Sequence, residues 1–180
     1  MKIVTFAGSS STQSINKRLA TYAAGLFQES QLEVLDLNDY ELPLFSLDKE
    51  QVLGKPAIAR AFLDKMESAD VLVLSLAEHN GSYSTAFKNI YDWASRQKKE
   101  VFDNTPMLLM ATSPGGRGGS SVLETAKSTM PHYGGNIKAV FSLPSFHNNF
   151  DVEAGKISNN ELDAALKDII RDFDYAKKDS

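Results

Sequence analysis

Short apolar runs and longer amphipathic stretches alternate along this chain. Residues 2–7, Lys2-Ile3-Val4-Thr5-Phe6-Ala7, read as a strand that ends at Gly8. Ile15, Leu19, Tyr22, Ala23 and Leu26 then recur at helical spacing. Residues 32–37 read as a second short strand, and Ile58, Ala61, Phe62 and Met66 mark the next helix face. Val71 to Leu76 is almost wholly apolar, the pattern of a parallel strand covered on both faces. Phe87, Ile90, Tyr91 and Ala94 mark the helix after it. Pro106 opens a fourth strand over 107–112, followed by a helix carrying Val122, Leu123, Ala126 and Met130. A fifth strand covers 137–143, and Leu162, Ala165, Leu166, Ile169, Ile170 and Phe173 give a last amphipathic helix. Strands that alternate with helices predict an α/β fold, a doubly wound parallel sheet with helices on both faces. For five strands the expected order is 2-1-3-4-5, the flavodoxin-like arrangement, with its topological switch between strands one and three. Residues 39–55 and 144–158 are the least regular and long enough to be functional loops.

At 180 residues the chain is expected to form a single domain over 1–180. It contains no cysteine, which excludes a disulfide framework, a thiolate metal site and a cysteine nucleophile within this chain. No metal ligand set is read from it, and the cysteine count fits a reducing, cytoplasmic setting. No apolar run approaches the roughly 18 residues of a membrane span, and no signal peptide is seen. The net charge of −4 is spread along the chain without a basic run, so neither nucleic acid nor membrane is an expected partner.

In the expected topology the loops after strands one, three and four meet at one sheet edge, and these three are polar and glycine-bearing. The first, residues 8–16, crowds Ser9, Ser10, Ser11, Thr12 and Ser14 ahead of Ile15 and Asn16 at a helix start. A helix N-terminus offers free N–H groups and a positive dipole end to an anion. The loop is neither a Walker A loop nor a dinucleotide fingerprint, and a serine-rich turn with Ser14 as N-cap accounts for the same residues. The second loop presents Glu78, His79, Asn80 and Gly81, which can hydrogen-bond a heteroaromatic ring edge; a solvated loop histidine is the plainer reading of His79. The third runs Ser113, Pro114, Gly115, Gly116, Arg117, Gly118, Gly119, and exposes backbone N–H groups. An anion site, a ring-edge site and a glycine loop around one crevice suit a mononucleotide, with FMN the candidate for this topology.

With these residues the chain resembles the NADPH-dependent FMN reductase family, which includes quinone, azo and chromate reductases. The first family motif, Gly-Ser-x-Arg-x-x-Ser-x-Asn, is met by Gly8, Ser9, Ser14 and Asn16. The second, Pro-Glu-Tyr-Asn and then a helix with Lys-Asn-x-x-Asp-Trp, is met by Glu78, Asn80, Gly81, Lys88, Asn89, Asp92 and Trp93. The third, Ser-Pro-Gly followed by glycines, is met by Ser113, Pro114, Gly115, Gly116 and Gly119. Ser11 stands where the family has arginine, Ala77 where it has proline and His79 where it has tyrosine.

The resemblance implies that Ser9, Ser14, Ile15 and Asn16 hold the FMN phosphate and adjacent ribityl chain, and Ser11, in the place of the family's arginine, is a further candidate contact there. It implies that Glu78, His79, Asn80 and Gly81, with Ser113, Pro114, Gly115 and Gly116, line the ring. It further implies NAD(P)H as co-substrate, a small-molecule electron acceptor, and a homodimer or homotetramer. The flavin carries the chemistry, so no catalytic side chain is assigned. Arg117 is the candidate for the extra phosphate of NADPH. Three other classes compete: a flavin-carrying electron shuttle, a family member that has weakened or lost FMN binding, and a serine hydrolase using His132 or His147. The last lacks a Gly-x-Ser-x-Gly elbow.

Overall fold

A computed structural model describes residues 1–176. Five parallel strands form the centre: β1 (Lys2–Gly8), β2 (Gln31–Val34), β3 (Val71–Leu76), β4 (Pro106–Thr112) and β5 (Asn136–Leu143). Their spatial order is β2-β1-β3-β4-β5, as the pattern predicts. The register sets Val4 beside Leu72 and Leu72 beside Met107. The helices are α1 (Ile15–Gly25), α2 (Leu47–Leu53), α3 (Ala57–Glu67), α4 (Thr85–Ser95), α5 (Ser120–Thr129), α6 (Phe146–Asn149) and α7 (Asn160–Arg171). Among the described residues no helix is long and apolar enough to cross a membrane.

The near-continuous apolar strands serve two cores at once. Successive side chains of a strand point to opposite faces. Val4, Phe6, Leu72, Leu74, Met107 and Leu109 pack under α3, α4 and α5. Ile3, Val71, Val73, Leu108 and Met110 pack under α1 and α7, against Leu19, Ala23, Leu166 and Ile170. All six residues of β3 are buried, which places the crevice at its carboxyl end on a rigid base.

The structure departs from the sequence expectation in its irregular stretches. The second strand stops at Val34 rather than Leu37. Asp36 ends it, because its carboxylate accepts the Asn38 N–H at 2.9 Å and starts a 3₁₀ turn over Leu37–Tyr40. Residues 39–55 contain α2, whose start Ser46 caps by accepting the Lys49 N–H at 3.2 Å. None of its residues is buried, so it presents no apolar periodicity to read. Residues 144–158 hold α6 and an antiparallel hairpin that pairs Phe150 with Ile157.

A strap over residues 41–45 is bound to α4 by side chains the family motif contains. Asn89 donates to the Leu42 carbonyl at 2.8 Å and accepts the Phe45 N–H at 2.9 Å. The Trp93 indole donates to the Pro43 carbonyl at 2.8 Å, with the Phe45 ring edge-on to it at 5.1 Å. Arg96 reaches α2 through Glu50 at 2.9 Å.

Candidate functional site

After β1 the chain crosses to the face covered by α1, and after β3 to the opposite face covered by α4. The crevice between these departures is the switch point where open α/β sheets bind ligands. The first loop builds its side of it from successive local turns. Ser9 Oγ accepts the Ser11 N–H at 3.2 Å, and Ser11 Oγ accepts the Gln13 N–H at 3.3 Å. Ser14 caps α1 by accepting the Lys17 N–H at 3.1 Å, and the Arg18 N–H binds the Ser14 carbonyl at 3.2 Å. The first-turn N–H groups of Ile15 and Asn16 have no acceptor within the helix and remain open donors. Each serine hydroxyl that accepts in this way keeps its own proton to donate.

The resemblance assigns Asn16 to the phosphate end, and the structure uses its carboxamide internally. Its Oδ1 accepts from Ser75 Oγ at 2.7 Å and from the Thr112 N–H at 3.0 Å, and its Nδ2 donates to the Thr112 carbonyl at 3.1 Å. Asn16, Ser75 and Thr112 are all buried. The side chain therefore pins the start of α1 to the ends of β3 and β4, and the backbone N–H is what it retains for an anion. Ser84 adds a second tie: its hydroxyl donates to the Gly8 carbonyl at 2.7 Å while capping α4 through the Phe87 N–H at 3.2 Å.

The second loop is a two-residue hairpin rather than an open loop. Glu78 pairs with Tyr83 and His79 with Ser82. Asn80 and Gly81 turn the corner with φ of 51° and 79°. Positive φ at both central residues is the type I′ turn for which Asn-Gly is the preferred sequence. Their identity thus has a local cause, and both sit exposed beyond the crevice. Glu78 reaches across to accept the Val122 N–H at 3.0 Å. Gly119, which precedes α5, has no side chain to cap it, so Glu78 supplies that cap from the hairpin.

The third loop folds back on α6. The Gly115 carbonyl accepts the Ser145 and Gly118 N–H groups at 3.0 and 3.2 Å, and the Ser113 carbonyl accepts the Phe146 N–H at 3.0 Å. Gly118 is required here: at φ 57°, an added Cβ would stand 2.3 Å from Ser142 Oγ. Gly116 has no such neighbour, the nearest atom lying 4.0 Å away.

Together the loops enclose an open cleft of about 220 Å³. Ser9, Ser11, Ser14, Ile15 and Asn16 line it from the first loop, Glu78 and His79 from the second, and Ser113 and Pro114 from the third. Asn80, Gly81, Gly115, Gly116 and Arg117 do not line it. Gln13, Ala77 and Thr112, to which the resemblance assigns no contact, also line the wall. Their signal was positional, since Ala77 and Thr112 stand where β3 and β4 run out. Beside the cleft Lys17 bonds Asp36 at 2.6 Å, and this contact holds the Asp36 carboxyl below the usual carboxylate range.

The sequence model described as NADPH-dependent FMN reductase matches residues 1–148. A 2-hydroxy-1,4-benzoquinone reductase of a Burkholderia species is 34% identical over 120 residues, covering 66% of this chain and 63% of that protein. The NADPH:quinone oxidoreductase of Arabidopsis thaliana is 32% identical over 125 residues, covering 67% of this chain and 62% of that one. The match thus spans about three fifths of the length of these relatives. The flavoenzyme FerB from Paracoccus denitrificans, an NAD(P)H:(acceptor) oxidoreductase, has the same fold with a TM-score of 0.72 at 23% identity, over 94% of this chain and 93% of that one. With three motifs in order at one sheet edge and a family match over most of its length, this chain belongs to the NADPH-dependent FMN reductase family.

Proposed function

We propose that this chain is an FMN-containing reductase that moves reducing equivalents from NAD(P)H to a small acceptor such as a flavin, quinone, azo or nitro compound, or metal oxyanion. One observation carries the reading: hydroxyls and open N–H groups at a helix start share a single cleft with the ends of the two neighbouring loops. The donor set fits the group. Ser9, Ser11 and Ser14 with the N–H groups of Ile15 and Asn16 suit a phosphoester. The wall from Ala77 to His79 and from Thr112 to Pro114 suits the edge of a planar ring. When bound, FMN supplies the hydride chemistry. The first-loop residues would hold the phosphate, and the lining residues of the second and third loops would hold the ring at the strand ends. Asn80, Gly81, Gly115 and Gly116, which do not line the cleft, would meet the ring only at its outer rim.

The reading includes a homodimer or a pair of such dimers. Its support is a group of exposed apolar side chains on and beside α2, where Leu44, Leu47, Val52 and Leu53 are 61%, 63%, 83% and 48% exposed. It sets the protein in the cytoplasm, where NAD(P)H is available, and treats the chain as one FMN-binding domain. The deciding test is the visible spectrum of purified protein before and after added FMN. Yellow protein that bleaches with NADPH under anaerobic conditions is the expected result. Colourless protein that fails to take up FMN overturns the reading.

A further inference from the structure

We propose that Arg18 is the cation that holds the phosphate end of the ligand at the first loop, an inference that rests on the FMN reading above. Residues 8–16 contain no charged side chain. The loop therefore offers hydrogen bonds and a helix dipole, worth a fraction of a charge, to a phosphate that carries nearly two. These neutral donors suit the phosphate, and any full positive charge added to them comes from outside residues 8–16.

The chain has five arginines. Arg60, Arg96 and Arg171 are paired with carboxylates at 2.7, 2.9 and 2.6 Å. Among the described residues Arg18 and Arg117 have no carboxylate partner, and each bonds a neutral side chain beside one of the crevice loops. The neighbouring Lys17 is already committed to Asp36. Arg18 is thus the uncommitted cation of the first turns of α1.

Its direction follows from its place in the helix. Arg18 lies four residues after the cap Ser14, and helical side chains lean back toward the N-terminus. Arg18 does so far enough to pass the cap: its Nη2 stands 3.4 Å from Gln13 Oε1. Gln13 itself lines the cleft. A contact of that length to a neutral amide is weak and is readily exchanged for a phosphate oxygen. Arg18 also borders a groove of about 490 Å³ that shares Thr12 and Ser14 with the loop, so the guanidinium has room to turn. Its planar fork can then engage two phosphate oxygens.

Titration with FMN and with riboflavin, the same ring without phosphate, tests this by flavin fluorescence quenching. Wild type is expected to bind FMN more tightly than riboflavin. Arg18→Gln is expected to weaken FMN binding about 10- to 100-fold, to leave riboflavin binding unchanged and to keep the far-ultraviolet circular dichroism of wild type. Arg18→Lys is expected to recover part of the loss. If wild type prefers FMN and Arg18→Gln keeps that preference, or loses both flavins alike, the role of Arg18 is overturned while the FMN reading stands. Equal binding of the two flavins by wild type also overturns it. Wild type that binds neither flavin overturns the FMN reading itself, and this inference with it.

Discussion

The carboxamide oxygen of Asn16 and the hydroxyl of Ser75 meet at 2.7 Å beneath the cleft, joining the start of α1 to the end of β3. The same carboxamide makes both of its other bonds to the Thr112 backbone. Truncation therefore strands three buried polar groups at once. Asn16→Ala is expected to cost about 2–4 kcal/mol of stability, since buried groups left without partners carry the full desolvation penalty. Ser9→Ala, at the half-buried rim, is expected to stay within about 0.5 kcal/mol of wild type. Both should weaken FMN binding, and urea denaturation separates them, because the midpoint falls for Asn16→Ala alone.

Trp93 and Asn89 belong to the family motif, yet their polar atoms face the strap rather than the cleft. Trp93→Phe removes the bond to the Pro43 carbonyl and keeps an aromatic ring in the core. Its expected cost is about 1–3 kcal/mol, one lost hydrogen bond plus a small void. Amide exchange at Phe45, whose N–H is held by Asn89, should accelerate as the strap loosens. Unchanged exchange at Phe45 would show that the strap is held by other contacts.

The parts of this fold that are legible in the sequence are those governed by burial. β3 and β4 are covered on both faces, so their near-continuous apolar runs identify them, and alternation with amphipathic helices identifies the winding. The site is legible as three polar loops at the strand ends, but not as a division of labour. Asn16 beside a row of hydroxyls reads as a ligand donor; its partners Ser75 and Thr112 are 59 and 96 residues away, and only the spatial register of α1 with two strand ends shows the carboxamide is used internally. Asn80-Gly81 carries the hairpin signal in plain view, yet its polar neighbours suit a ligand equally well, and the sign of φ decides. Helix α2 is illegible for the opposite reason, because an element that buries nothing leaves no periodic trace.

Glu33 joins β2 to β1 and α3 by bonding Lys65 at 2.5 Å and Lys2 at 2.9 Å. The Lys65 bond, then the Lys2 bond, hold its carboxyl below its ordinary value of 4.5. A carboxylate whose folded pKa is depressed contributes stability above its unfolded pKa and loses it as pH falls through the folded value. Stability is therefore expected to decline as pH drops below about 4.5, and Glu33→Gln should flatten that acid limb. The group is partly exposed, so the effect should be small and should shrink in high salt. An acid limb of the same slope in the variant would assign the decline to other carboxylates.

Arg117 donates to Ser121 Oγ at 2.5 Å and has no carboxylate partner among the described residues, which leaves its charge available at the rim of the third loop. On the reductase reading, Arg117→Ala is expected to raise the KM for NADPH about tenfold, the scale of one charge-assisted contact. The KM for NADH should change little, since NADH lacks the extra phosphate. Steady-state kinetics with both nucleotides decides, and equal effects on the two would remove Arg117 from that role.

Two glycines in the third loop separate the fold from the ligand. At Gly118 a methyl group would collide with Ser142 Oγ, and the positive φ adds strain of about 1 kcal/mol or more. Gly118→Ala should therefore displace the loop, lowering thermal stability and flavin affinity together. At Gly116 the added Cβ would have 4.0 Å of clearance to Ser145 Oγ, and the backbone is not in the left-handed region. Gly116→Ala should melt within a few degrees of wild type. Any loss of FMN affinity in that variant then has one physical source, a methyl group in the space the ring needs, and measuring affinity alongside melting temperature shows whether the ring passes that close. Affinity unchanged in Gly116→Ala would remove Gly116 from the residues that contact the ring.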